Sequence, residues 1–159
     1  MGTLIRKYLP KGITFLAIAL MAVMTFVQAA ADGVYHSEHI ALASVGGAPL
    51  QNGFVENIHV NGPQVYAMEQ YVLNGAIPDT DYQVSIQIYY QDPSCSTSPL
   101  ITLTTAAFRT NASGNGNARA VYTPADAAPL RGMTHGAVWE ITSGSTIEYQ
   151  TACSAITLD

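Results

Sequence analysis

Basic residues are scarce in this chain, and where they stand matters more than their number. Lysine and arginine total six against eleven aspartates and glutamates. Arg6, Lys7 and Lys11 precede Ala31, and beyond it only Arg109, Arg119 and Arg131 remain, with no lysine. Three positive groups against eleven negative ones leave residues 32–159 with a formal charge of −8. A stretch so charged cannot neutralise a run of phosphates and is repelled by an anionic membrane surface, which argues against nucleic-acid binding. Cysteine is rarer still, with two residues and no C-x-x-C spacing. Neither G-x-S-x-G nor the ligand spacing of an EF-hand loop occurs, so no established catalytic or calcium pattern is present. After residue 31 no segment keeps an apolar 3.6-residue period over three turns, which excludes a helical bundle.

The N-terminus is where the missing positive charge is found. Arg6, Lys7 and Lys11 lead into an uncharged apolar run over residues 13–27, and Gln28-Ala29-Ala30-Ala31 then supplies small residues for a peptidase. Charge, apolar core and small residues in that order describe a secretory signal peptide over residues 1–31. The run is shorter than the ~18 residues a membrane span usually needs, which argues against a retained anchor. Export to the periplasm or the exterior is expected, with cleavage after Ala31 and Ala29 as the second choice. No membrane association is expected after cleavage. The remaining 128 residues fit one domain, 32–159. In an exported chain Cys95 and Cys153 read as one disulfide.

Strand signals fill that domain. Residues 34–43, 54–60, 65–73, 82–89, 100–108, 118–122, 137–142 and 146–158 are rich in β-branched and aromatic residues, separated by turns such as Asn61-Gly62-Pro63. The segment 82–89 alternates apolar and polar residues most regularly. Residues 124–129 have room for one helical turn. Short strands at such intervals predict an all-β sandwich or barrel.

One segment carries a resemblance. Leu73, Gly75, Pro78, Thr80 and Tyr82, followed by Val84, Ile86 and Ile88, resemble the junction between strands E and F of fibronectin type III domains. The resemblance covers residues 73–88 only. It implies a Greek-key β-sandwich of the immunoglobulin and fibronectin kind, with seven to nine strands and a structural corner at Leu73, Gly75, Pro78 and Tyr82. In that corner the tyrosine hydroxyl bonds back to the preceding loop.

Candidate sites are few. A three-residue loop, Ser143-Gly144-Ser145, would place Trp139 opposite Tyr149 and Glu140 opposite Glu148. Like charges across a ladder are unfavourable, so Glu140 and Glu148 are a candidate pair for holding a cation or sharing a proton. Near the start of the domain, His36, Glu38 and His39, with His59 from a neighbouring strand, are candidate zinc or copper ligands. Alternation puts His36 and Glu38 on one face and His39 on the other. The acidic turn at Asp79 and Asp81 and the Asn/Gly-rich loop over 111–117 are explained by turn chemistry. Asn111-Ala112-Ser113 matches a glycosylation acceptor and supports an exposed loop. Tyrosines concentrate between Tyr35 and Tyr90, and an exposed row of them would make a binding surface.

The expectation is an exported, non-catalytic module without a cofactor. It would recognise a protein or glycan, or serve a structural role in the envelope or secretome. The alternative is a metal-binding protein or small metal-dependent secreted enzyme, using His36, Glu38, His39 and His59 or the Glu140 and Glu148 pair. Intact-mass and N-terminal sequencing of exported protein is expected to give a chain beginning at Asp32. Exported protein that still begins at Met1 would overturn the signal-peptide reading.

Overall fold

The computed structural model describes residues 36–158, except for the side chain of His36, so the expected signal peptide lies outside the described residues. Nine strands follow in order: β1 His36–Ser44, β2 Asn52–His59, β3 Ala67–Asn74, β4 Asp81–Tyr89, β5 Ile101–Arg109, β6 Gly116–Tyr122, β7 Met133–Ser143, β8 Thr146–Thr151 and β9 Ser154–Leu158. Between β6 and β7 lies one helical turn, α1 Pro124–Ala127, continued by a 3-10 turn over Ala128–Leu130. The start of α1 is set locally. Thr123 Oγ1 accepts from the Asp126 backbone N–H, the Asp126 carboxylate accepts from the Thr123 N–H at 2.7 Å, and proline opens the helix.

All pairings are antiparallel, in the order β5-β4-β7-β8-β1-β2-β3-β6. The sheet curls until it is nearly closed. β1 makes this possible by pairing with β2 from His36 to Ala41 and with β8 from Leu42 to Ser44. The end strands β5 and β6 are consecutive in the chain and lie side by side, but among the described residues no ladder joins them. The turn between them is anchored by Gly114, whose carbonyl accepts from Ala76 N–H at 3.0 Å and whose φ is +73°. A side chain at Gly114 would run into the Ala76 backbone.

Alternation makes the inner face. On β4, Tyr82, Val84, Ile86 and Ile88 are buried while their neighbours are less so; on β7, Ala137, Trp139 and Ile141 supply the same face. With Val55, Tyr71, Leu73 and Tyr149 they form one core.

The closing hairpin differs from the sequence expectation. Ser143 pairs with Thr146 around a two-residue turn, and the register then shifts, so that Ile141 lies opposite Tyr149 and Glu140 opposite Gln150. The bulge at Glu148 supplies the odd residue that a three-residue loop was expected to supply: Tyr149 and Thr151 face inward with Ile141 and Trp139, while Ile147, opposite Thr142, takes the other face and is half-buried. Along β7 the returning chain slips once more between β8 and β9, near Cys153. There Cys153 is bonded to Cys95, with Cα atoms 5.9 Å apart. Cys95 stands in a loop folded around Asp92, whose carboxylate accepts from Thr97 N–H at 2.8 Å and from Ser94 Oγ at 2.7 Å. These bonds hold the Asp92 carboxyl well below the usual carboxylate range. The loop lies so close to β7 that a Cβ at Gly136 would stand 2.7 Å from Cys95 Sγ.

Leu73, Gly75, Pro78 and Tyr82 span the passage from β3 to β4. Leu73 and Tyr82 are buried, Gly75 has φ +65°, and Pro78 is exposed in the crossing from β3 to β4. The Tyr82 hydroxyl lies 3.3 Å from the Tyr149 hydroxyl, which donates to the Pro49 carbonyl at 2.9 Å and receives the Ile77 N–H at 3.4 Å. Tyr149 therefore ties three segments together.

Two stability outcomes are expected. Replacing both cysteines with alanine opens a link spanning 58 positions and is expected to cost about 4 kcal/mol in the chain-entropy picture. Tyr149→Phe is expected to cost about 1 kcal/mol by removing its bonds to the Pro49 carbonyl and the Ile77 N–H, more than Tyr82→Phe. Urea unfolding of the three variants measures both, and a Tyr82→Phe loss equal to or larger than that of Tyr149→Phe would contradict this wiring.

Candidate functional site

Polar residues also occupy the inward phase, and they gather at one end. On β2 the buried residues Val55, Asn57 and His59 alternate with half-buried ones, and on β3 Ala67, Glu69, Tyr71 and Leu73 alternate with half-buried or exposed ones. Register places Glu38, Asn57 and Glu69 in one row across β1, β2 and β3. Asn57 Nδ2 lies 3.5 Å from Glu38 Oε2.

Glu69 is the centre of this group and is 3% exposed. Its Oε2 accepts from the Tyr122 hydroxyl at 2.8 Å and from the Tyr71 hydroxyl, which also lies 2.7 Å from Thr105 Oγ1. The indole N–H of Trp139 bears on the same carboxyl without closing a bond of ordinary geometry, leaving Trp139 Nε1 unpaired among the buried side-chain atoms. Burial pushes the Glu69 carboxyl above its ordinary range, and the donors only partly offset this. Burial and the neighbouring carboxyl likewise push the Tyr71 and Tyr122 hydroxyls up.

Glu69 lines a cavity of about 90 Å³. Asn57, His59 and Tyr122 continue its polar wall, while Ile86, Ile88, Ile156 and Leu158 face them from β4 and β9. Ala127 and Leu130 roof it. The rim reaches solvent at Asp126 and at Leu103, an inward-phase residue of β5 that is 47% exposed beside the unpaired seam. The roof is held by His135, which is fully buried. Its Nε2–H donates to the Leu130 carbonyl at 2.8 Å, and its Nδ1 accepts from Gln91 N–H at 3.1 Å. Two such bonds require the neutral tautomer with its proton on Nε2.

The residues expected to bind metal are divided. His36 and His59 are register partners, and Glu38 shares their phase. His39 faces the other side, where its Nδ1 lies 2.9 Å from Glu56 Oε2 and its ring packs 4.4 Å from Phe54. Ser37 also donates to Glu56, and these bonds hold that carboxyl below its ordinary value. His59 is buried next to Tyr66, ring centroids 6.3 Å apart, and the Arg131 guanidinium lies over the same tyrosine at 5.0 Å. Among the described residues no three His, Cys, Asp or Glu side chains converge on a point. Glu140 and Glu148 are not register partners: Glu140 accepts from Gln150 Nε2 at 2.9 Å, and Glu148 sits at the bulge.

Sequence reasoning missed Asn57, Glu69, Tyr71 and Tyr122 as a group. The available signal was phase, because a glutamate spaced two residues from Tyr71 and four from Leu73 must share their face. Compared with known proteins, the chain matches no protein-family model and no curated sequence.

The Glu69 environment predicts a pH dependence. The folded carboxyl holds its proton above the ordinary value of 4.5, whereas the unfolded one releases it there. The stability this contributes is full below that value and is lost as pH rises through the folded pKa. Glu69→Gln removes the ionisation, so its melting temperature is expected to gain on that of the unmodified protein as pH rises. Parallel melting curves above pH 4.5 would show that Glu69 is not held protonated.

Proposed function

We propose that the protein is an exported, non-catalytic binding module that takes a small, mainly apolar group into the cavity between β2, β3, β4 and β9. The observation that carries this reading is the divided wall, with one buried carboxyl and its partner Tyr122 together with four aliphatic side chains in one lining. Binding sites are commonly built this way, with apolar surface supplying the burial and a few polar atoms fixing orientation. The cavity is smaller than the ~150 Å³ space that accepts benzene, which limits the guest to a compact group.

Kinship with Greek-key sandwiches is part of the proposal. It is supported by the pairing of β3 with β6 and by the crossing at Gly75 and Pro78 that leads from β3 to β4, features a Greek key would have. Export is supported by the residues before Asp32 and is compatible with the disulfide.

Xenon dissolved under pressure probes the cavity without prejudice about charge. It is expected to shift the amide resonances of Ala67, Ile86 and Ile156 while leaving the Tyr82–Tyr149 end unchanged. Ala127→Leu, which fills the roof, is expected to abolish those shifts. Shifts scattered over the surface, or unchanged in Ala127→Leu, would remove the cavity as a binding site.

A further inference from the structure

We infer that the cavity takes a small organic ammonium ion, with its charge toward Glu69 and its carbon substituents against Ile86, Ile88, Ile156 and Leu158. This rests on the cavity being the binding site and goes on to name what enters it.

Three observations carry the choice of charge. The first is the composition of the lining. Glu69 stands in the wall and Asp126 at the rim, and among the described residues no lysine or arginine lines the space. Asp126 is kept ionised by the Thr123 bonds that cap α1, which hold its carboxyl below the ordinary range. Glu38 adds a third carboxyl in the same ladder row as Glu69. Two carboxyls in the lining disfavour an anionic guest.

The second is the arrangement around Glu69. Two hydroxyls donate to a single oxygen, Oε2, which is how a carboxylate is solvated inside a protein. Burial works the other way and raises the pKa of the same group. An ammonium ion removes that conflict, because a partner of opposite charge favours the ionised form that the tyrosines already solvate. A neutral guest leaves the conflict in place.

The third is the aromatic component. Tyr66 and Tyr122 both line the cavity, and tyrosine rings attract cations, more strongly where water is excluded. Arg131 already lies over the Tyr66 ring, so one cation is held at this end of the sheet by the same attraction. The net negative charge of the domain also draws small cations toward it.

Three probes of similar shape separate the possibilities. Isobutylammonium, isobutanol and isobutyrate are titrated into the mature protein and followed by calorimetry and by amide shifts at Ala67, Ile86 and Ile156. Isobutylammonium is expected to bind about tenfold or more tighter than isobutanol, the factor that one charge-assisted hydrogen bond supplies, and isobutyrate is expected not to bind. Glu69→Gln is expected to erase the preference for the amine over the alcohol. Should that variant fold poorly, the three-probe comparison on the unmodified protein decides alone. Equal or tighter binding of isobutanol, or binding of isobutyrate, overturns the ammonium assignment. If xenon enters and none of the three probes binds, the assignment also falls while the cavity reading stands. Exclusion of xenon removes that reading itself.

Discussion

An antiparallel sheet curled until it is nearly closed has a single inside. Each strand contributes one phase to it, and a polar atom in that phase is costly unless it finds a partner there, because water is largely excluded. This constraint organises the molecule. The aliphatic and aromatic residues of β4, β7 and β8 satisfy it by packing. Asn57, His59 and Glu69 have the same phase on β2 and β3 and satisfy it differently. Glu69 is bonded by hydroxyls from its own strand and from β6, and the cavity opens where this polar wall meets the aliphatic one.

Keeping one face inward around such a sheet requires local departures from regular pairing. The register shifts on the β4–β5 and β7–β8 ladders, and the slip along β7 between its pairings with β8 and β9, each restore an inward phase that a regular ladder would have lost or displaced. The bulge at Glu148 shows the cost of ignoring this. Parity demanded an odd number of residues between two apolar sets, and that residue sits within the strand rather than in the turn. The disulfide occupies the last of these irregularities, where the chain slips between β8 and β9. Among the described residues, the seam between β5 and β6 is where the curl is left unpaired. It leaves Leu103 exposed although its phase is inward, and it gives the cavity a mouth.

Much of the architecture was legible in the residues. The period-two run from Tyr82, the turn signals, the single helical turn at Pro124 and the pairing of Cys95 with Cys153 all depend on local spacing or on a count with one solution. The turn at Gly75 and Pro78 was also legible, whereas Tyr149, whose hydroxyl meets that of Tyr82, stands 67 residues away. The candidate sites were harder to read. Glu140 and Glu148 looked paired because a bulge leaves little trace in sequence. His36, Glu38 and His59 share a phase as expected, while His39 turns to Glu56 on the opposite face.

The sequence by itself determined the strand content, the disulfide, the acidic balance of the domain and which residues alternate together, because each follows from neighbours a few positions apart or from composition. Only the tertiary structure decided that Glu69 is surrounded by Tyr71, Tyr122 and Trp139, that His135 holds the roof at Leu130, and that β5 and β6 end the sheet without pairing. Those outcomes depend on which strands become neighbours after the sheet curls. Strand order is chosen by the burial of the whole inner face, so it cannot be read from any one strand.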